Sequence, residues 1–339
     1  MIQLISNKEL ANIVDDINVE WGIKASLKDA PITQILPDTN SPQEGVVYFP
    51  KRTSFYLLLF QIIKKGWENK NQLFYGNQLI NLNEMIVAAL NIKDTDSADI
   101  LIQAYCEKLK NFAPLVLFFK NYDYNITNTL LFFLYHELTH VRIAQQPSFF
   151  ETKKDELSQM INRAQPSIKK SMMKYLNKIE KLEEEVICDL EACKKLREGL
   201  KSRSESVNSY LDIINTINFI NCISNNRDNY IRSNRCTILA YWDQTQSKQT
   251  KKAVARCVFI NHFWKDGLSL SNKEIFKMVL SNISLSLSQE AKDFCKAEFK
   301  KSEDGFFNPD RRRAKEIEEE IYEAEQSFIK SLMTPSDSL

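Results

Sequence analysis

Histidine is almost missing from this chain. Only three occur in 339 residues, so any two that fall close together carry information. Glycine is nearly as sparse, with seven, and no Asn-Gly or Asp-Gly turn sits between alternating apolar residues. That scarcity argues against a hairpin-rich all-β fold. Cysteines number seven, at 106, 188, 193, 222, 236, 257 and 295, with no Cys-x-x-Cys pair. An odd, scattered set excludes a disulfide framework or a zinc-thiolate finger and points to a reducing cytoplasm, with Cys188 and Cys193 expected as small core residues of a helix. Charge of one sign is missing too: 45 Lys and Arg against 44 Asp and Glu leave a net +1. Nothing there favours nucleic acid or an anionic membrane as partner. The longest apolar runs, Phe55–Phe60 and Leu130–Tyr135, are far too short to cross a bilayer. Met1–Glu20 shows no basic segment leading into an apolar one, so no secretory signal is expected.

Against these absences stands His136-Glu137-Leu138-Thr139-His140, which takes two of the three histidines. On a helix, residues four apart share a face, so both imidazoles reach one ion. Glu137 lies about 100° round from His136, poorly placed as a ligand but within reach of a water held at that ion. Two nitrogen ligands, one base and an open coordination position are the parts of a zinc hydrolase. The carrying segment is apolar nearly all round, from Leu130 to Tyr135 with Leu138 and Val141, so a central buried helix is predicted.

A third ligand must come from elsewhere. In Glu183-Glu184-Glu185-Val186-Ile187-Cys188-Asp189, the residues Glu185 and Asp189 share a helical face. With Glu185 at 0°, Leu196 falls at about 20°, Asp189 at about 40° and Leu182 at about 60°, whereas Glu184 lies at about −100°. Acids bordering an apolar stripe are costly unless a metal or hydrogen bonds compensate them. Glu185 is therefore the expected third ligand, and Asp189 the carboxylate that braces a ligating histidine. Glu180, Glu183, Glu184 and Glu191 read as a solvated face paired with Lys181, Lys194 and Lys195.

The pattern His136-Glu137-x-x-His140 with Glu185-x-x-x-Asp189 resembles the gluzincin class of zinc metallopeptidases. The form with Cys188 before the aspartate is also similar to the compact intracellular ImmA/IrrE and phage-exclusion Lit peptidases. The resemblance spans residues 114–198 at most. It implies Zn2+ held by His136, His140 and Glu185, Glu137 as catalytic base, and Asp189 behind a histidine. One departure stands out: 44 residues separate His140 from Glu185, which an insertion at Gln146–Pro166 would explain.

Elsewhere, Ser6-Asn7-Lys8-Glu9 is a capping box for a helix to about Trp21, ended by Gly22. An apolar helix is expected over Thr53–Lys65, stopped by Gly66, another after the capping box Asn81–Glu84, and an amphipathic one over Ser97–Phe112. Gly45–Phe49 and Pro114–Phe119 read as strands, the latter an edge on which a peptide could add as a further strand. Leu27–Pro50, with four prolines, reads as loop around the first strand. Beyond Thr127 helices are expected at 128–145, 166–198, 205–223, 252–265, 272–282, 288–301 and 310–333. The fold class is thus α+β, predominantly α: a zincin-like core, a small sheet flanking the histidine helix, and additional helices. Regions 1–126, 127–200 and 201–339 follow, the last boundary at polar Lys201–Ser206.

His262, among aromatics in Phe259–Trp264, is either an oxyanion donor or a structural histidine. Tyr135, Tyr210 and Tyr230 are open alternatives for the donor. Arg311-Arg312-Arg313 precedes acids at helical spacing, giving ion pairs Arg312–Glu316 and Lys315–Glu319 or a partner-binding helix. The expected function is cytoplasmic, zinc-dependent endopeptidase action on a protein or peptide substrate. The competing readings are a non-catalytic regulatory protein with a structural metal, and a helical protein whose histidines merely pack.

Overall fold

The computed structural model describes residues 2–3, 5–30, 34–65, 70–91, 95–117, 124–232, 248–264 and 313–333. Helices dominate it. The capping box forms: Ser6 Oγ accepts from the Glu9 backbone, Glu9 Oε2 accepts from the Ser6 N–H at 2.7 Å, and α1 runs Asn7–Trp21. Gly22 ends it in the left-handed region, φ 64°. Strand β2 (Ser26–Asp29) lies parallel to β3 (Val46–Phe49), in register Ser26 to Val46. Between them the chain loops back through Asp38, which bridges Tyr48 in antiparallel sense, and a short 3-10 turn at Pro42–Glu44. Gly45 makes this return possible. Its φ is +68°, and a Cβ there would stand 1.9 Å from the Lys24 carbonyl oxygen. A second two-stranded parallel sheet pairs β1 (Ile2–Gln3) with β4 (Tyr124–Asn125).

Helices α2 (Thr53–Lys65), α3 (Lys70–Asn91) and α4 (Thr95–Leu117) precede α5 (Thr127–Gln145), which carries the histidines. Eleven residues of α5 are buried, from Thr129 to Val141, as its all-round apolar surface requires. Gln145 and Gln146 tie its end to the α1–β2 turn: Gln145 Nε2 donates to the Lys24 carbonyl at 2.9 Å and Gln146 Nε2 to that of Trp21 at 2.7 Å. The small β2–β3 sheet and its 3-10 turn thus rest against α5. Then come α6 (Pro147–Arg163), α7 (Pro166–Lys178), α8 (Leu182–Gly199), α9 (Arg203–Arg232), α10 (Lys248–Phe263) and α11 (Arg313–Met333). Helix α8 packs along α5 and also against α10. One continuous cluster of buried apolar side chains runs from Leu10 to Leu332.

Four expectations need correction. Residues 114–117 close α4 instead of forming a strand, so no peptide-binding edge exists there; an apolar run of that length fits a buried helix as well as a strand, and tertiary packing decides. Helix α3 begins at Lys70 and passes through Asn81–Glu84, so that segment lies in a helix interior, where Asn83 accepts from buried Arg52, and not at a helix start. The stretch between the helices expected at 128–145 and 166–198, to which no element was assigned, folds as helix α6, entered at Pro147. Finally, the helix expected over 166–198 breaks at Ile179–Lys181, where Lys181 takes φ 56°. That break makes Glu183, Glu184 and Glu185 the first turn of α8, where carboxylates face the positive helix end. A lysine in the left-handed region is strained by about 1–2 kcal/mol. Lys181→Gly should therefore raise unfolding stability by about 1 kcal/mol in a urea titration. Gly66, Phe118–Phe119, Arg311–Arg312, the C-terminal helices at 272–282 and 288–301, and the Tyr230 side chain lie outside the described residues. Lys315 and Glu319 do pair, at 3.9 Å on an exposed face.

Candidate metal centre

Side chains from α5 and α8 meet at one end of a cleft of about 420 Å³. One ligand atom from each of His136, His140 and Glu185 falls within 4.8 Å of the others. Among the described residues no other His, Cys, Asp and Glu group does this. His136 Nε2 stands 3.8 Å from Glu185 Oε2. Tetrahedral zinc with bonds of about 2.1 Å separates neighbouring ligands by about 3.4 Å, so this pair needs a shift of a few tenths of an ångström.

The outer nitrogens are held as well. His136 Nδ1 lies 2.9 Å from Asp189 Oδ1, close but not aligned as a well-formed hydrogen bond. His140 Nδ1 meets Glu184 Oε1 at 2.9 Å. A carboxylate beside Nδ1 in both rings leaves each Nε2 as the nitrogen for an ion, the arrangement metal-ligating histidines use. Glu184 therefore does not belong to a solvated face; it leans from the flank of α8 onto His140. Glu191 is also paired differently from the expectation, with Lys153 of α6 at 2.9 Å. Asp189→Asn and Glu184→Ala should each weaken zinc binding about 10–100-fold, read by competition with a chromophoric chelator.

Helix α10 supplies two cations that the sequence reading passed over. Arg256 grips Asp189 with two parallel hydrogen bonds, Nε to Oδ2 at 2.7 Å and Nη2 to Oδ1 at 2.6 Å. Its Nη1 is 3.7 Å from Glu185 Oε2, and Lys252 Nζ is 3.1 Å from Glu185 Oε1. Burial would raise the Asp189 and Glu185 carboxyls, but Arg256, the histidines and, for Glu185, Lys252 outweigh it and hold both down at about 2. Both acids therefore stay ionised before any ion arrives. Burial also lowers His136, keeping its ring neutral and able to ligate, against the pull of Asp189. His140 goes the other way, since Glu184, Glu137 and Glu185 outweigh its burial.

Glu137 differs from its acidic neighbours. Its Oε1 is 3.9 Å from His136 Nε2, and its Oε2 accepts the backbone N–H of Thr39 at 3.0 Å. Thr39 is fixed in turn by its hydroxyl, which donates to the Val46 carbonyl at 2.9 Å. Burial, with help from Asp38 and Glu185, pushes Glu137 up to about 8. A cation at the adjacent cluster would draw it back toward neutrality, the range a general base needs.

His262 is not at this site. It lines a separate cavity with Phe263, Leu190 and Lys194, so it is no oxyanion donor for this cluster. The charged group on α10 that does line the cleft is Arg256. Tyr210 gives its hydroxyl to Asn261 at 2.6 Å, and Tyr135, buried, does not line the cleft. The chain matches no known protein family, no curated protein and no solved structure.

Proposed function

We propose that this chain is a zinc-dependent endopeptidase acting on an intracellular protein or peptide. The observation that carries the reading is the position of Glu137: a buried carboxylate beside the three-residue cluster, in the same open cleft, and not itself a member of it. A structural metal site has no use for such a group. His136, His140 and Glu185 would hold the ion, and zinc there would supply Lewis-acid polarisation of a carbonyl and a more acidic water. Glu137 takes a proton from the attacking water and returns it to the departing amine. The Thr39 N–H orients that carboxylate and leaves Oε1 directed at the cluster. Arg256, locked by Asp189, presents a fixed positive charge to the cleft where a tetrahedral oxyanion would gather.

The cytoplasmic setting is part of the same proposal. It is supported by four described cysteines, all free, three of them buried. Among the described residues no helix is long and apolar enough to cross a membrane. The test is a comparison of new protein termini in cells expressing the wild type or His136→Ala. Termini that appear with the wild type alone, and vanish when the purified protein meets chelator and return with zinc, support the proposal. A zinc-loaded wild type that generates none in cells or on a denatured-protein library would sink it.

A further inference from the structure

Helix α8, which brings Glu184, Glu185 and Asp189 to the metal centre, also borders a second cavity. It is about 550 Å³, larger than the cleft, and lies between α6, α8 and α10. Its apolar lining is Leu157 and Met160 of α6, Ile187 and Leu190 of α8, and Phe263 of α10. Its polar lining is biased to positive charge: Lys153, Arg163, Lys194 and Arg197 against Glu156 and Glu191. Both acids are already taken, since Lys153 holds Glu156 at 2.8 Å and Glu191 at 2.9 Å. Arg163 and Lys194 are exposed and have no acid within ion-pair distance among the described residues.

We propose that this cavity binds an anionic amphiphile, a medium-chain fatty-acid carboxylate. The chain would lie on the five apolar side chains and the carboxylate would meet Arg163 and Lys194 at the mouth. The volume falls within the range of about 300–1,000 Å³ usual for small-ligand sites. Every lining residue belongs to a helix, so the backbone groups there are bonded internally except carbonyls in the last turns of α6 and α10. No strand edge is presented on which an extended peptide could add, whereas an acyl chain needs no main-chain partner. Because α8 also carries Glu184, Glu185 and Asp189, and α10 also carries Lys252 and Arg256, an occupant would touch both helices whose side chains meet at the metal centre. The site stands independently of the peptidase reading.

The test is calorimetric titration of the full chain with dodecanoate below its micellar concentration, beside dodecyltrimethylammonium, which has the same chain and opposite charge. One dodecanoate per chain is expected, with the cationic analogue about tenfold weaker or more. Reversing the mouth charges with R163E and K194E together should invert that preference. Met160→Trp, which fills the cavity from the helix that bears no metal-site residue, should abolish binding, while His136→Ala should leave it intact. Equal binding of both amphiphiles, or dodecanoate binding undisturbed by Met160→Trp, would overturn the proposal.

Discussion

Glu137→Gln should cut peptide cleavage by about 10²–10⁴-fold, the usual worth of a positioned general base, while zinc content stays at the wild-type level. The amide is nearly the same size as the carboxylate and keeps a carbonyl oxygen for the Thr39 N–H, so the cleft wall formed by Leu36–Asn40 is retained. What it loses is the capacity to accept a proton. His136→Ala, in contrast, should lose metal and activity together. The measurement is single-turnover cleavage of a target peptide by zinc-reconstituted protein, with metal quantified in the same sample. Undiminished cleavage by the glutamine variant would remove Glu137 from the base role.

The second large effect lies far from the cleft. Arg52, of α2's entry, is fully buried and gives Nε to Glu325 Oε2 at 2.9 Å across a separation of 273 residues. Tyr105 of α4 donates to Glu325 Oε1 at 2.6 Å, and Asn83 of α3 accepts from Arg52. Four elements thus share one polar knot inside an apolar core, and α11, which also buries Ile317, Ile321, Phe328, Ile329 and Leu332, brings its one fully buried carboxylate to it. Glu325→Leu strands the guanidinium without its partner and should cost about 3–5 kcal/mol, a large part of a typical folding free energy. Arg52→Met combined with Glu325→Leu should recover most of that loss, because the desolvated charge is gone as well. Urea midpoints of both variants measure this. A single variant within 1 kcal/mol of wild type would show that the knot is not closed as described.

The metal cluster was legible in the sequence for a physical reason. Ligands four apart on a buried helix are a local pattern, and acids at 185 and 189 on an apolar stripe signal a compensating partner. What surrounds them was not local. Thr39 reaches Glu137 across 98 residues, and only the turn at Gly45 brings it there. Glu184 looked solvated because the wheel placed it away from the stripe, but the break at Lys181 and the proximity of His140 give it a partner. Arg256 did leave a trace: it is the one charge in Ala253-Val254-Ala255-Arg256-Cys257-Val258-Phe259-Ile260, whose other seven residues are buried. A cation in such a run needs a buried acid, and Asp189 was the acid waiting for one. His262 misled because a lone histidine near a helix end says nothing about which side of α8 it faces. The helical class was evident from scarce glycine and the cap at Ser6–Glu9, although the box at Asn81–Glu84 falls inside α3. Residues 114–117 and 179–181 were not, since apolar runs and left-handed breaks are decided by packing.

Zinc titration of the chelator-stripped protein reaches the central claim most directly, with wild type, His140→Ala and Glu185→Ala compared under one buffer. Convergence of residues 136, 140 and 185 on one ion predicts a single tight equivalent in the wild type and affinity lower by at least about tenfold in each variant. A wild-type chain that takes up no zinc, or a Glu185→Ala variant that binds it as tightly, would contradict the account.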